Sequence, residues 1–128
     1  MKNDIVQLED IQQLVDTFYG RVQQDPFIGV IFMRIIQDWP THLAKMYTFW
    51  QTALLQEHTY QGRPFPPHMK MDLNPAHFDR WLDIWRDTID TLFKGEKAEE
   101  AKWRGQAMAT MFLSKIEYYK GTDKHPLI

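Results

Sequence analysis

The chain has no cysteine and a single serine, Ser114. The first absence excludes a disulfide scaffold, thiolate zinc or iron–sulfur sites, cysteine nucleophiles and thioether-attached cofactors. The second makes a serine hydrolase untenable, because Ser114 sits inside a helical pattern. No valine follows Val30 and no run alternates with period two, so no strand is expected. No stretch approaches the ~18–20 apolar residues of a membrane span. Acidic and glutamine residues break every apolar run of the opening MKNDIVQLEDIQQL, which predicts neither signal nor transit peptide. Charge of one sign is also lacking: 15 Lys+Arg against 17 Asp+Glu leave a formal net charge of −2. That balance carries no electrostatic footprint for nucleic acid and no polybasic membrane stretch. The expectation is a soluble cytoplasmic protein with neither nucleic-acid nor membrane partner.

What is present is aromatic and helical. Eight Phe, five Trp and five Tyr are a large share for one domain of 128 residues. Such a length buries roughly two-thirds of the unfolded surface, and the expected unit is one domain over 1–128 with an ordered core over about 8–120. Leu8, Ile11, Leu14, Val15, Phe18, Tyr19 and Val22 step by three and four, one apolar stripe over four turns. Asp25–Pro26 predicts a stop and a new short helix carrying Phe27, Val30, Ile31, Phe32 and Ile35. Asp38-Trp39-Pro40-Thr41 signals another start, after which His42, Met46, Phe49, Trp50 and Ala53 share a face. The run 58–67, with Gly62 and three prolines, reads as a loop. Asn74–Pro75 opens a helix with Phe78, Trp81, Leu82, Trp85, Ile89 and Leu92 on its stripe, and Gly95 is placed to end it. A last helix runs from about Glu96 to Tyr119, with Ala101, Met108, Met111, Phe112, Ile116 and Tyr119 as its buried side. Gly121 and Pro126 predict a frayed tail. The fold class is all-α, five or six helices with short connections.

Five histidines are the main carriers of chemistry. His125 falls in the tail, His77 beside a helix start and His58 in the loop, and surface roles suit all three. His42 lies on an apolar stripe; it is either a helix-start histidine bonded to backbone or a cavity residue. His68 follows Arg63-Pro64-Phe65-Pro66-Pro67 and precedes Met69, Met71 and Leu73. Prolines lower the entropy of holding one imidazole in place. In such apolar company a neutral imidazole offers a lone pair to a metal or to a haem iron. The plain alternative is a loop histidine lying over a hydrophobic core. Zinc spacing is missing, and no carboxylate stands three residues before His42, His58, His68 or His77, so a di-iron bundle fails. Neither GxGxxG nor GxxxxGK[ST] occurs, which leaves nucleotide sites unsupported. A flat apolar cofactor suits the aromatic surplus: haem needs a helical cage, aromatic walls, one neutral axial histidine and a few polar groups opposite.

These residues, taken in order, resemble the third group of truncated haemoglobins. The resemblance runs from about Asp10 to Tyr119. Its motifs are Phe18-Tyr19, Ile31-Phe32, His42 with Trp50 eight residues on, Tyr60-x-Gly62-x-Pro64, Pro66-Pro67-His68, and Phe78-x-x-Trp81-Leu82. The absence of a Gly-Gly pair separates the chain from the first two groups. The resemblance implies a two-over-two helical sandwich with the proximal helix reduced to a short piece at 67–72. It implies haem b with His68 as proximal ligand, Tyr19 as distal tyrosine, His42 as a distal-helix histidine acting as a gate, and Trp81 with its indole N–H in the distal pocket. Phe18, Phe32, Met46, Trp50, Met71 and Phe78 would line the cofactor, and Lys45 would reach a propionate.

Two functions follow from the resemblance: reversible binding of dioxygen, nitric oxide or carbon monoxide, or haem-based detoxification of nitric oxide or peroxide with a reductase. A third reading, a cofactor-free helical interaction module, makes all eighteen aromatics plain core.

Overall fold

The computed structural model describes residues 1–68 and 71–124, without the side chains of 121–124. Met69, His125 and Pro126, all named above, lie outside the described residues. Five helices follow one another: α1 Leu8–Gln24, α2 Gly29–Ile35, α3 Trp39–Leu55, α4 Pro75–Leu92 and α5 Glu96–Lys124. A single 3-10 turn, Pro66–His68, interrupts the long connection between α3 and α4. Among the described residues the only β-type pairing is one bridge between Asn3 and Phe93.

The caps explain where helices begin. Asp38 accepts a hydrogen bond from the Thr41 amide at 3.2 Å, which starts α3 one residue before its proline. Asn74 does the same for Ala76 and His77 at the head of α4, and the His77 ring accepts the Asn74 amide in return. Each such cap satisfies amides that lack an intrahelical acceptor.

Packing joins α1 to α3 and α4 to α5, with α1 also crossing α4. This is the two-over-two arrangement. The predicted α1 stripe is the centre of the core: Ile11, Leu14, Val15 and Val22 are fully buried beside Leu54, Trp85 and Ile89. Trp85 is the keystone of the α4–α5 contact. Its ring stacks on Trp50 at 4.6 Å and on Trp81 at 5.6 Å, and its Nε1 donates to the Ala101 carbonyl at 3.0 Å. Gly105 makes this approach available, since a Cβ there would lie 2.6 Å from Trp85 Nε1.

Several expectations are corrected. Asp25 does not cap a helix starting at Pro26. It closes a turn by accepting the Phe27 and Ile28 amides, and α2 begins at Gly29. The Asp25 carboxylate is buried and is met by the Arg80 guanidinium of α4 at 2.7 Å. Phe27 stays outside α2, half exposed and stacked on His77 at 4.8 Å, while Val30 and Ile35 are also exposed. Gly95 does not terminate α4, which stops at Leu92; with φ of 141° it leads into α5. Met111 and Tyr119 face solvent rather than core, because Ala109 takes the inward position with Phe112 and Ile116. The last helix continues through Gly121 to Lys124.

The opening segment shows no helical pattern, yet it is packed. Ile5 is fully buried, and Asp4 accepts the amides of Lys97 and Ala98 at 3.0 and 2.9 Å. It thereby caps α5 from the far end of the chain. Burial alone would raise the Asp4 pKa, but the amides of Lys97, Ile5 and Ala98 outweigh it and hold the carboxyl below its usual value.

Candidate functional site

A cavity of about 340 Å³ opens between α2 and α3 on one side and the 60–73 loop, α4 and α5 on the other. Its walls are overwhelmingly apolar, with Phe32 from α2, Met46 and Trp50 from α3, Met71 from the loop, and Phe78 from α4. Polar groups enter at few places: Tyr19, His42, His68 and Trp81 within, and Lys45 and Arg63 among the bordering cations. All but one of the residues assigned from sequence to the cofactor or its ligand therefore meet at one cavity. The exception is Phe18. It is fully buried behind the wall, edge-on to Tyr19 at 4.9 Å, to Trp81 at 5.2 Å and to Trp85 at 5.0 Å. It supports the cavity lining without being part of it.

His68 is held at the end of the 3-10 turn. Its Nδ1 lies 2.7 Å from the Pro64 carbonyl. A carbonyl only accepts, so the proton sits on Nδ1 and Nε2 keeps its lone pair. Burial lowers the His68 pKa against the opposing pull of the Pro64 and Phe65 backbone, which favours this neutral form. Phe112 of α5 packs against the imidazole at 4.8 Å. The prolines supply the rigidity: the acceptor carbonyl and the ring that it orients belong to one Pro-rich loop. A histidine whose second nitrogen is committed to a carbonyl is oriented as metal-binding imidazoles are.

Across the cavity, Tyr19 is enclosed by rings: Phe32 at 6.0 Å, Trp39 at 5.9 Å and His42 at 5.1 Å. Its hydroxyl makes no hydrogen bond among the described residues, and burial raises its pKa, keeping the proton on oxygen. Among the described residues His42 contributes the one buried side-chain polar atom without a partner, Nε2. Burial first, then the positive charge of Lys45 and the nearby His68, push the His42 pKa down. The Trp81 indole, stacked on Trp85, is likewise unbonded. Two donors without a protein acceptor among the described residues, and the neutral His42 ring, thus stand opposite one lone-pair donor.

Residues 4–114 match the family model described as bacterial-like globin. The chain belongs to the bacterial-like globin family. Within it, the chain is a truncated haemoglobin of group III. It is 29% identical over 126 residues to the group 3 truncated haemoglobin of Campylobacter jejuni, spanning 94% of this chain and 99% of that one. It is also similar to the crystal structure of a group III truncated haemoglobin from the same organism, with a TM-score of 0.82 and 30% identity. That match covers 91% of this chain and 95% of the other.

Globin membership implies a haem cofactor and a small gaseous ligand. The residues present fit that group in this truncated haemoglobin. An apolar slot suits the porphyrin, the Nε2 of His68 is a free donor at its edge, and the unpartnered donors stand on the other side. His68 would hold the iron; Phe32, Met46, Trp50 and Phe78 would pack on the ring. Lys45 is the cation available to a carboxylate at the rim.

Sequence reasoning left several lining residues unassigned. Met108 and Phe112 were read only as the inward face of α5, although both line the cavity. Tyr60 and Arg63 also border it, from the loop that had been noted for its prolines. His77, assigned to the surface, both caps α4 and borders the cavity beside Phe78. Trp39 lies behind His42 at 5.8 Å. A positional signal exists only for His77 and Trp39, each one helical turn from a chosen residue, Trp81 and His42; Met108, Phe112, Tyr60 and Arg63 have none.

Proposed function

We propose that this globin carries haem b on His68 and reversibly binds dioxygen and related diatomic ligands beside Tyr19, His42 and Trp81. The observation that carries the proposal is His68 itself, oriented through Nδ1 by the Pro64 carbonyl so that Nε2 is free at the cavity edge. Haem, when bound, supplies an iron that takes diatomic gases. The protein supplies the remainder. Phe32, Met46 and Trp50 exclude water from the slot. The Tyr19 hydroxyl and the Trp81 indole N–H are donors with no protein acceptor, so a small ligand bearing partial negative charge completes their hydrogen bonding. Spectra of the protein reconstituted with haem test the assignment. His68→Ala should abolish the wild-type ferrous and carbonmonoxy bands, and an unchanged ferrous spectrum would remove His68 from the axial role.

A second reading, detoxification of nitric oxide or peroxide with electrons from a reductase, is favoured by one feature. The His42 imidazole borders the cavity and is held neutral by burial, a base suited to moving a proton to or from a bound substrate. Stopped-flow turnover with an added reductase separates the two readings: a rate no greater than that of free haem discards the enzyme. Both readings keep the cytoplasmic setting expected from composition.

A further inference from the structure

A second depression of about 460 Å³ lies outside the cavity, between the Pro-rich loop and the C-terminal half of α5. Its cations are Arg63 and Lys115, and none of its lining residues is a carboxylate. Neither cation forms an ion pair among the described residues, whereas Arg21, Arg80, Lys97, Lys102, Arg104 and Lys120 all do. Lys115 is nevertheless fixed: its ammonium stands 4.9 Å from the centre of the Phe65 ring, a cation–π contact. The backbone of Arg63 is restricted by the proline that follows it. Phe65 is buried and lies nearly parallel to Tyr119, with ring planes 20° apart at 6.2 Å. Ser114 lines the same groove, and its hydroxyl has no partner among the described residues. Two positive charges, one of them fixed, a hydroxyl and the exposed ring of Tyr119 together suit one chemistry: a guanidinium fork and an ammonium for an anionic head, and stacking on Tyr119 for a planar body.

We propose that this groove binds a small aromatic anion and that its occupancy acts on the loop bearing His68. The connection is short. Arg63 and Phe65 line the groove, the Pro64 carbonyl between them orients His68 at 2.7 Å, and Phe112 touches Phe65 at 5.4 Å and His68 at 4.8 Å. Anything that shifts the 63–65 backbone alters the hydrogen bond that sets the imidazole. This second half rests on the haem reading; the binding half does not.

Calorimetric titration of the purified protein with benzoate, benzamide and inorganic phosphate is the test. Benzoate should bind at one site. Benzamide, lacking the charge, and phosphate, lacking the ring, should each bind about tenfold more weakly, the scale of one charge-assisted hydrogen bond. Arg63→Gln and Lys115→Gln should each weaken benzoate by a similar factor, and Lys94→Gln, at an exposed lysine elsewhere, should not. Benzoate affinity unchanged in the Lys115→Gln variant, no saturable benzoate binding, or phosphate binding as well as benzoate would each overturn the site. With the haem-loaded protein, saturating benzoate should change the carbon monoxide association rate at least twofold in wild type and not in Lys115→Gln. Binding without that rate change would overturn the coupling and leave the haem assignment, tested by His68→Ala, untouched.

Discussion

At the scale of the residue, the cavity is set apart by polar groups left without partners. A buried donor or acceptor without a partner costs about 1–3 kcal/mol, and His42 carries such an atom. Its low pKa also gives the cofactor-free protein a pH dependence. For a base depressed on folding, the unfolded chain takes the proton first as pH falls. Stability from this group is therefore intact above the unfolded value of about 6.5 and is lost as pH falls from there toward the folded pKa. His42→Leu should raise the apo-protein melting temperature and flatten its decline between pH 7.5 and 5.5. A variant that kept the wild-type slope would assign the dependence elsewhere. The Tyr19 hydroxyl gives the complementary expectation for the loaded protein. Its removal in Tyr19→Phe should speed dioxygen release about ten- to a hundredfold, the value of one hydrogen bond to a charged acceptor. A release rate equal to wild type would leave Trp81 as the donor.

At the scale of elements, the inward face of each helix is visible in the sequence and the close approaches between elements are not. The periodic stripe of α1 and the Trp81–Trp85 spacing of α4 announce their own inward faces, because a 3.6-residue period depends on nothing outside the helix. The register between helices is different: nothing near Gly105 in sequence says that Trp85 lies against it. Gly105→Ala gains helix propensity but drives a methyl into an indole pinned by Trp50, Trp81 and the Ala101 carbonyl. Overpacking of this kind costs about 1–3 kcal/mol, so the urea midpoint should fall despite the better helix former. Similarly, Asp4 caps α5 across 93 residues, beyond any local pattern. Asp4→Ala should cost about 0.5–2 kcal/mol, measured by chemical denaturation, with amide exchange accelerated at Lys97 and Ala98 before other sites. Uniform acceleration along the chain would argue against a cap.

For the whole molecule, the all-α class was legible from periodicity and caps, whereas the two-over-two layering and the residues around the cavity were what the resemblance to truncated haemoglobins implied. What escaped was what depends on distant pieces: the role of residues 1–7, the turn at Asp25 stabilised by Arg80 from α4, and the outward orientation of Met111 and Tyr119. The sequence likewise could not show that His68 is oriented by Pro64, because spacing of four in a Pro-rich loop has no fixed geometry. The cavity also sets an expectation for the molecule as a unit. Its apolar walls lose their partner in the apo form, and a cofactor that binds only the folded state stabilises it by mass action. The haem-loaded protein should melt well above the apo-protein, by an amount that grows with free haem. Equal melting temperatures would contradict a preformed site.

The Asp4 contact with α5 carries a further consequence for how the chain is made. Synthesis proceeds from the N-terminus, so Asp4 and Ile5 leave the ribosome long before the amides of Lys97 and Ala98 exist. Throughout that interval the first seven residues have no α5 to hold, and α1 must find α3 and α4 without them. The segment bearing Asp4 is thus translated before α5 and is among the last to settle, and the fold is closed by a contact that has waited for its later half.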